Sequence, residues 1–121
     1  KLGGHARVED YKEKDLWYGK LAKIQNKDWA AYKYINFENG ASKFDIKILG
    51  ALSGGKVEIW TAAVDSGKLL GTCIIEPEDK KNSYSISSCK IKKIRGVHAV
   101  YLKFIGTEGN LFEIDWFSFN K

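Results

Sequence analysis

Apolar and polar positions along this chain alternate with a period of two in segment after segment. Phe44-Asp45-Ile46-Lys47-Ile48 and Lys56-Val57-Glu58-Ile59-Trp60 both do so, as do Tyr101-Leu102-Lys103-Phe104 and Phe112-Glu113-Ile114-Asp115. Successive side chains of a strand point to opposite faces, so this pattern predicts strands with one buried and one solvated face. The run Lys90-Ile91-Lys92-Lys93-Ile94-Arg95 reads the same way, as a half-buried strand with a lysine face. Turn signals separate the strands: Glu38-Asn39-Gly40, Leu52-Ser53-Gly54-Gly55, Asp65-Ser66-Gly67, Glu76-Pro77-Glu78-Asp79, Arg95-Gly96 and Thr107-Glu108-Gly109-Asn110. The helical signal is weak. Asp10 to Ala22 is charged, but Gly19 and the lack of capping residues make it read as a loop. The pattern predicts an all-β chain of about eight or nine strands packed as a β-sandwich.

Length and composition narrow this without changing it. The chain has 121 residues, 44% of them hydrophobic, which suits a single domain over 1–121 with its own core. No apolar run approaches the ~20 residues that a membrane-spanning helix needs, so no membrane partner is expected. The opening Lys1-Leu2-Gly3-Gly4 reads as a cut within a longer protein. A formal net charge of +5 raises nucleic acid as a partner, but the lysines are dispersed. Lys12, Lys14, Lys20, Lys23 and Lys27 are interleaved with Glu13, Asp15 and Asp28, so no nucleic-acid partner is expected either.

Candidate chemistry is sparse. His5 and His98 have no metal-type partner at close spacing, and each reads as a surface or internally satisfied histidine. No nucleophile-elbow, zinc-protease or phosphate-loop pattern occurs. Glu58 and Glu113 sit mid-strand among aromatics, as a glycosidase pair would, yet the chain is small for a catalytic cleft. It is therefore read as a non-enzyme. Cys73 and Cys89 form no CxxC motif. Their segments could pair antiparallel across the intervening turn, and the two sulfurs read either as a disulfide or as two small buried thiols. The stronger clue is aromatic: four Trp, six Tyr and six Phe. Ring faces match the C–H faces of sugars, and polar side chains around them bond the hydroxyls.

Nearly the whole chain resembles family six carbohydrate-binding modules, in order. The motifs are Val8-Glu9-Asp10-Tyr11, Ile24-Gln25-Asn26-Lys27-Asp28-Trp29-Ala30-Ala31-Tyr32, Gly54-Gly55-Lys56-Val57-Glu58-Ile59 and Asp65-Ser66-Gly67-Lys68-Leu69-Leu70-Gly71-Thr72. Two more close the chain, from Gly96-Val97-His98 to Phe104-Ile105-Gly106 and from Asn110-Leu111-Phe112 to Trp116-Phe117-Ser118-Phe119. The resemblance implies a β-jelly roll that binds polysaccharide without catalysis. The module would be secreted, monomeric when isolated, and tethered to a glycoside hydrolase that it directs to plant or algal cell-wall glycan. It implies two sugar sites. In the edge loops, the family's first ring falls at Lys23, its second at Tyr84 and its asparagine at Glu113. Trp17 or Tyr18 would supply the missing ring, with Asn110 nearby. The edge loops are the expected sugar site; the second site, on a sheet face, would use Trp29, Glu58 and Trp60. The resemblance also implies a structural calcium ion held by Glu9 and Asp115, with Arg7 at a third ligand position. The changes at positions 23 and 113 leave open an alternative: a degenerate module with a structural or protein-interaction role in a multi-domain enzyme.

Overall fold

The computed structural model describes residues 2–3, 10–13, 16–21, 24–51, 53–77, 84–107 and 111–121, the first three stretches as backbone only. The strands are β1 (Leu2–Gly3), β2 (Asp10–Glu13), β3 (Leu16–Leu21), β4 (Trp29–Asn36), β5 (Ala41–Leu49), β6 (Gly55–Thr61), β7 (Lys68–Ile75), β8 (Tyr84–Ile94), β9 (Val97–Ile105) and β10 (Glu113–Asn120). No helix occurs among the described residues. Two five-stranded sheets form, in the orders β1-β4-β9-β6-β7 and β2-β3-β10-β5-β8. They are called the first and second sheet below. Every described pairing is antiparallel.

Alternation decides which residues meet between the sheets. Along β9, Val100, Leu102 and Phe104 are fully buried while Tyr101 and Lys103 face outward. Val57 and Ile59 on β6, and Phe44, Ile46 and Ile48 on β5, contribute to the same core. Aromatic rings pack one end of it. Phe117 meets Tyr32 edge-on with centroids 4.8 Å apart and Phe44 at 5.8 Å, and Phe119 meets Phe37 at 5.0 Å. Burying an aliphatic or aromatic side chain of this size contributes about 1.5–3 kcal/mol, which is why the inward positions hold their register.

Two expectations from the sequence are corrected. The stretch read as a loop, Asp10 to Ala22, contains the strands β2 and β3. The pair is antiparallel, with Asp10 opposite Gly19 and Glu13 opposite Leu16. β3 also pairs with β10, placing Trp17 opposite Phe117 and Tyr18 opposite Trp116. Ladder bonds to a strand some ninety-five residues away override the weak local propensity of a charged, glycine-containing segment. The second correction concerns the cysteines. Their strands do not pair in one ladder: β7 ends the first sheet and β8 ends the second. His98 is satisfied internally, with Nε2 2.6 Å from the Arg95 carbonyl oxygen, whereas His5 lies outside the described residues.

Candidate functional site

The outward face of the first sheet gathers aromatic and charged side chains in two cross-strand rows. Trp29 on β4 stands opposite Lys103 on β9, which stands opposite Glu58 on β6, followed by Thr72 on β7. The next row runs Ala31, Tyr101, Trp60, Leu69. Trp29 and Tyr101 meet edge-on with centroids 6.1 Å apart. Next to them opens a groove of about 570 Å³, lined by Lys27, Trp29, Lys33, Asp65, Tyr101 and Lys103 together with Ala63 and Val64.

Each element of this groove is held by short-range chemistry. Before β4 the chain makes a tight turn. The Asp28 carboxylate accepts from the Gln25 N–H (2.9 Å), and the Asp28 N–H donates to the Gln25 carbonyl (3.0 Å). Lys27 takes the left-handed conformation (φ 72°), and its N–H donates to the Phe104 carbonyl (2.7 Å). Asn26 Oδ1 accepts from the Gly106 N–H (3.1 Å), and the Ile24 carbonyl accepts from Leu111 (2.7 Å). The backbone entering Trp29 is thereby pinned on both sides. The opposite wall is the β6–β7 connection. It turns through left-handed Ala62 (φ 74°) and Asp65 (φ 61°) and closes at Gly67, where a Cβ would collide with the Thr61 carbonyl and the Ala63 backbone. Asp65 is thus aimed at Lys103, whose ammonium donates to both carboxylate oxygens at 2.8 Å. The lysine side chain is 14% exposed and the aspartate 62%, so lone pairs of a fixed carboxylate still face solvent.

Glu58 and Trp60 border this groove without lining it. Both face outward on β6, and Trp60 Nε1 donates to Glu58 Oε1 at 3.2 Å. The loop-site residues fall differently. Tyr84 opens β8 and is 56% exposed. It stands opposite Leu49 on β5, and Glu113 on β10 stands on the other side of Leu49, so the two share an outward row of the second sheet. Lys47 Nζ lies 4.6 Å from the centroid of the Tyr84 ring and 3.6 Å from Asp115. Trp17 and Tyr18 belong to the strand β3, and Asn110 and Lys23 lie outside the described residues.

Of the implied calcium ligands, Glu9 lies outside the described residues, as does Arg7. Asp115 sits at the β10 bulge, beside a lysine ammonium. No group of three or more His, Cys, Asp or Glu side chains suited to a metal occurs among the described residues. A calcium ion takes six to eight oxygen ligands, and the described residues assemble one carboxylate, already paired with a cation. They do not by themselves fit the ion.

Asp65, Lys27, Lys33 and Lys103 were not singled out by sequence reasoning. Asp65 carried only a turn signal, and its partner Lys103 is 38 residues away. The available hint was the outward alternation of Tyr101 and Lys103 along β9.

Comparison with known proteins agrees with the fold. Residues 4–121 match the family described as carbohydrate binding module (family 6). The chain belongs to that family, whose modules are non-catalytic. It is 33% identical over 103 residues to an arabinoxylan arabinofuranohydrolase of Bacillus subtilis (strain 168), a match covering 84% of this chain and 20% of that protein. The chain therefore spans about a fifth of the length of this relative. A crystal structure of the glycoside hydrolase family 43 arabinoxylan arabinofuranohydrolase from Bacillus subtilis, in complex with cellotetraose, superposes with a TM-score of 0.78 at 32% identity. That match covers 86% of this chain and 21% of the other. A family 6 module from Clostridium cellulolyticum, in complex with xylose, gives a TM-score of 0.80 at 27% identity, covering 99% and 92% of the two chains.

Proposed function

We propose that this module binds a β-linked plant cell-wall polysaccharide, xylan first, on the outward face of its first sheet. In this reading it tethers a secreted glycoside hydrolase to that substrate. The observation that carries the proposal is the groove in which Trp29 and Tyr101 stand beside the Lys103–Asp65 ion pair. A sugar ring lies with its C–H face on an aromatic ring, whose quadrupole favours those hydrogens. Its hydroxyls donate to the exposed lone pairs of Asp65 and accept from the ammoniums of Lys27 and Lys33, while Glu58 and Trp60 extend the platform. An open sheet face accommodates the middle of a chain rather than its end, which suits a polymer. The names of the relatives, an arabinoxylan-degrading enzyme and a module complexed with xylose, favour xylan.

The loop set of Trp17, Tyr18, Tyr84, Asn110 and Glu113 ranks second, because the Lys47 ammonium lies over the ring of Tyr84 where a sugar would stack. Affinity electrophoresis against xylan, β-glucans, mannans, agarose and pectins tests the proposal. Retardation by xylan that Trp29→Ala removes and Tyr84→Ala preserves supports it. The reverse pattern moves the site to the second sheet. Silence across the panel favours a degenerate module with a structural or protein-interaction role, for which the lysine at position 23 and the glutamate at position 113 are the arguments. We also propose a structural calcium ion held through Glu9 and Asp115, a site that the described residues alone do not assemble.

A further inference from the structure

Cys73 lies on β7 beside Val57, fully buried on the inner side of the first sheet. Cys89 lies on β8 beside Phe44, half-buried on the inner side of the second sheet and packed against the core. β7 and β8 are the end strands of their sheets, so the two cysteines face each other across one open side of the sandwich. The strands are unusually close there. A Cβ on Gly71 would sit 2.8 Å from the Lys90 carbonyl oxygen and 3.4 Å from the Ile91 Cα. That approach, two residues before Cys73 and one after Cys89, brings the two thiols near enough to perturb each other electrostatically.

We propose that Cys73 and Cys89 are a modification site: a dithiol that a small-molecule disulfide oxidises to a cross-link between the two sheets. With both cysteines facing inward where β7 and β8 come this close, a modest strand shift brings the sulfurs to a bond length of about 2 Å. Each strand has a free edge, which lets it make that shift. Chemistry and access assign different roles to the two thiols. Interaction with the Cys73 thiol stabilises a Cys89 thiolate and holds the Cys89 thiol below its ordinary pKa, against desolvation and the nearby Asp45 carboxylate. The same interaction, together with burial and the charges of Cys89 and Asp45, holds Cys73 protonated. Cys89 also lines a surface groove with Lys43, Ser88 and Lys90, so it is the sulfur an oxidant can reach.

The Cys89 thiolate attacks one sulfur of the reagent, forming a mixed disulfide and expelling one thiolate of the reagent. Cys73 then loses its proton and attacks the Cys89 sulfur, forming the cross-link and expelling the second. Two protein thiols lose two electrons between them, the reagent disulfide gains two, and the two cysteine protons end on the two reagent thiols. This inference is independent of where sugar binds, and its test does not use binding.

The reduced chain is incubated with oxidised glutathione and followed by thiol titration, intact mass, peptide mapping and thermal melting. The expected result is loss of both titratable thiols, a mass lower by two hydrogens and a linked peptide pair containing Cys73 and Cys89. The melting temperature should rise by about 10 °C, because the cross-link closes a loop of some fifteen residues in the unfolded chain. Cys73→Ala should instead accumulate a stable glutathione adduct on Cys89, with no rise in melting temperature. Two free thiols in the oxidised wild-type chain, or a persistent adduct on wild-type Cys89, would overturn the proposal. The mapping on wild-type protein decides the matter even if the variant fails to fold.

Discussion

The outward faces of the two sheets are built from the same parts, arranged to opposite effect. Each combines aromatic rings, a lysine and an aspartate. On the first sheet Lys103 is drawn sideways into Asp65, with both carboxylate oxygens at 2.8 Å, and the rings of Trp29 and Tyr101 border an open groove. On the second sheet Lys47 reaches between Asp115 and Tyr84, 3.6 Å from the carboxylate and 4.6 Å from the ring centroid. A cation over a ring contributes about 0.5–1 kcal/mol at an exposed site, and it takes the place a sugar would fill. The position of the counter-charge decides whether a lysine clears an aromatic surface or covers it.

The sharpest way to break this comparison is Trp29→Ala. Losing a stacked indole should weaken xylan binding by about 2 kcal/mol, roughly 30-fold by isothermal titration calorimetry, with the fold retained by circular dichroism. Unchanged affinity would remove the first sheet from consideration. Gly67→Ala tests the wall that carries Asp65. The added methyl meets backbone rather than a flexible side chain, so the turn must shift. Affinity should fall about 5- to 10-fold, together with a destabilisation on the order of 1–2 kcal/mol seen in denaturant melts. Retained binding would show that Asp65 is a bystander.

Lys47→Ala addresses the second sheet. If the first sheet is the platform, the substitution should leave xylan binding within about twofold of the parent chain, because it clears a ring on the other sheet. A large gain in affinity on clearing Tyr84 would mean that the second sheet holds a latent site. The smallest expected effect is from chelation. Removing calcium should lower the melting temperature by about 2–5 °C if an ion binds only the folded state. An identical melt after exhaustive chelation would assign Asp115 to Lys47 alone.

The fold was largely legible in the sequence because its signal is local. Phe44 to Ile48, Lys56 to Trp60 and Tyr101 to Phe104 each announce a strand within five residues, and each lies in one. β2 and β3 were not legible: the stability of β3 comes from pairing with β10, which no window around Trp17 contains. The cysteines misled for a related reason. A separation of sixteen residues suggests a hairpin, but the chain leaves the first sheet after β7 and enters the second at β8. The candidate groove was legible in its rings and illegible in its charges. Trp29 and Tyr101 declare themselves by type and parity, whereas Asp65 acquires its role only when Lys103 arrives from another strand.

β9 has a consequence for how such modules diversify. Its even-numbered residues Val100, Leu102 and Phe104 are sealed in the core, while Tyr101 and Lys103 between them face the groove. A point change at an odd position alters the chemistry of the exposed groove and leaves the packing beneath intact. A change at an even position does the reverse: Phe104→Ala should cost about 3–5 kcal/mol of stability. Surface chemistry and foldedness are thus written on alternate letters of one strand. Selection can rewrite one set while the other stands still.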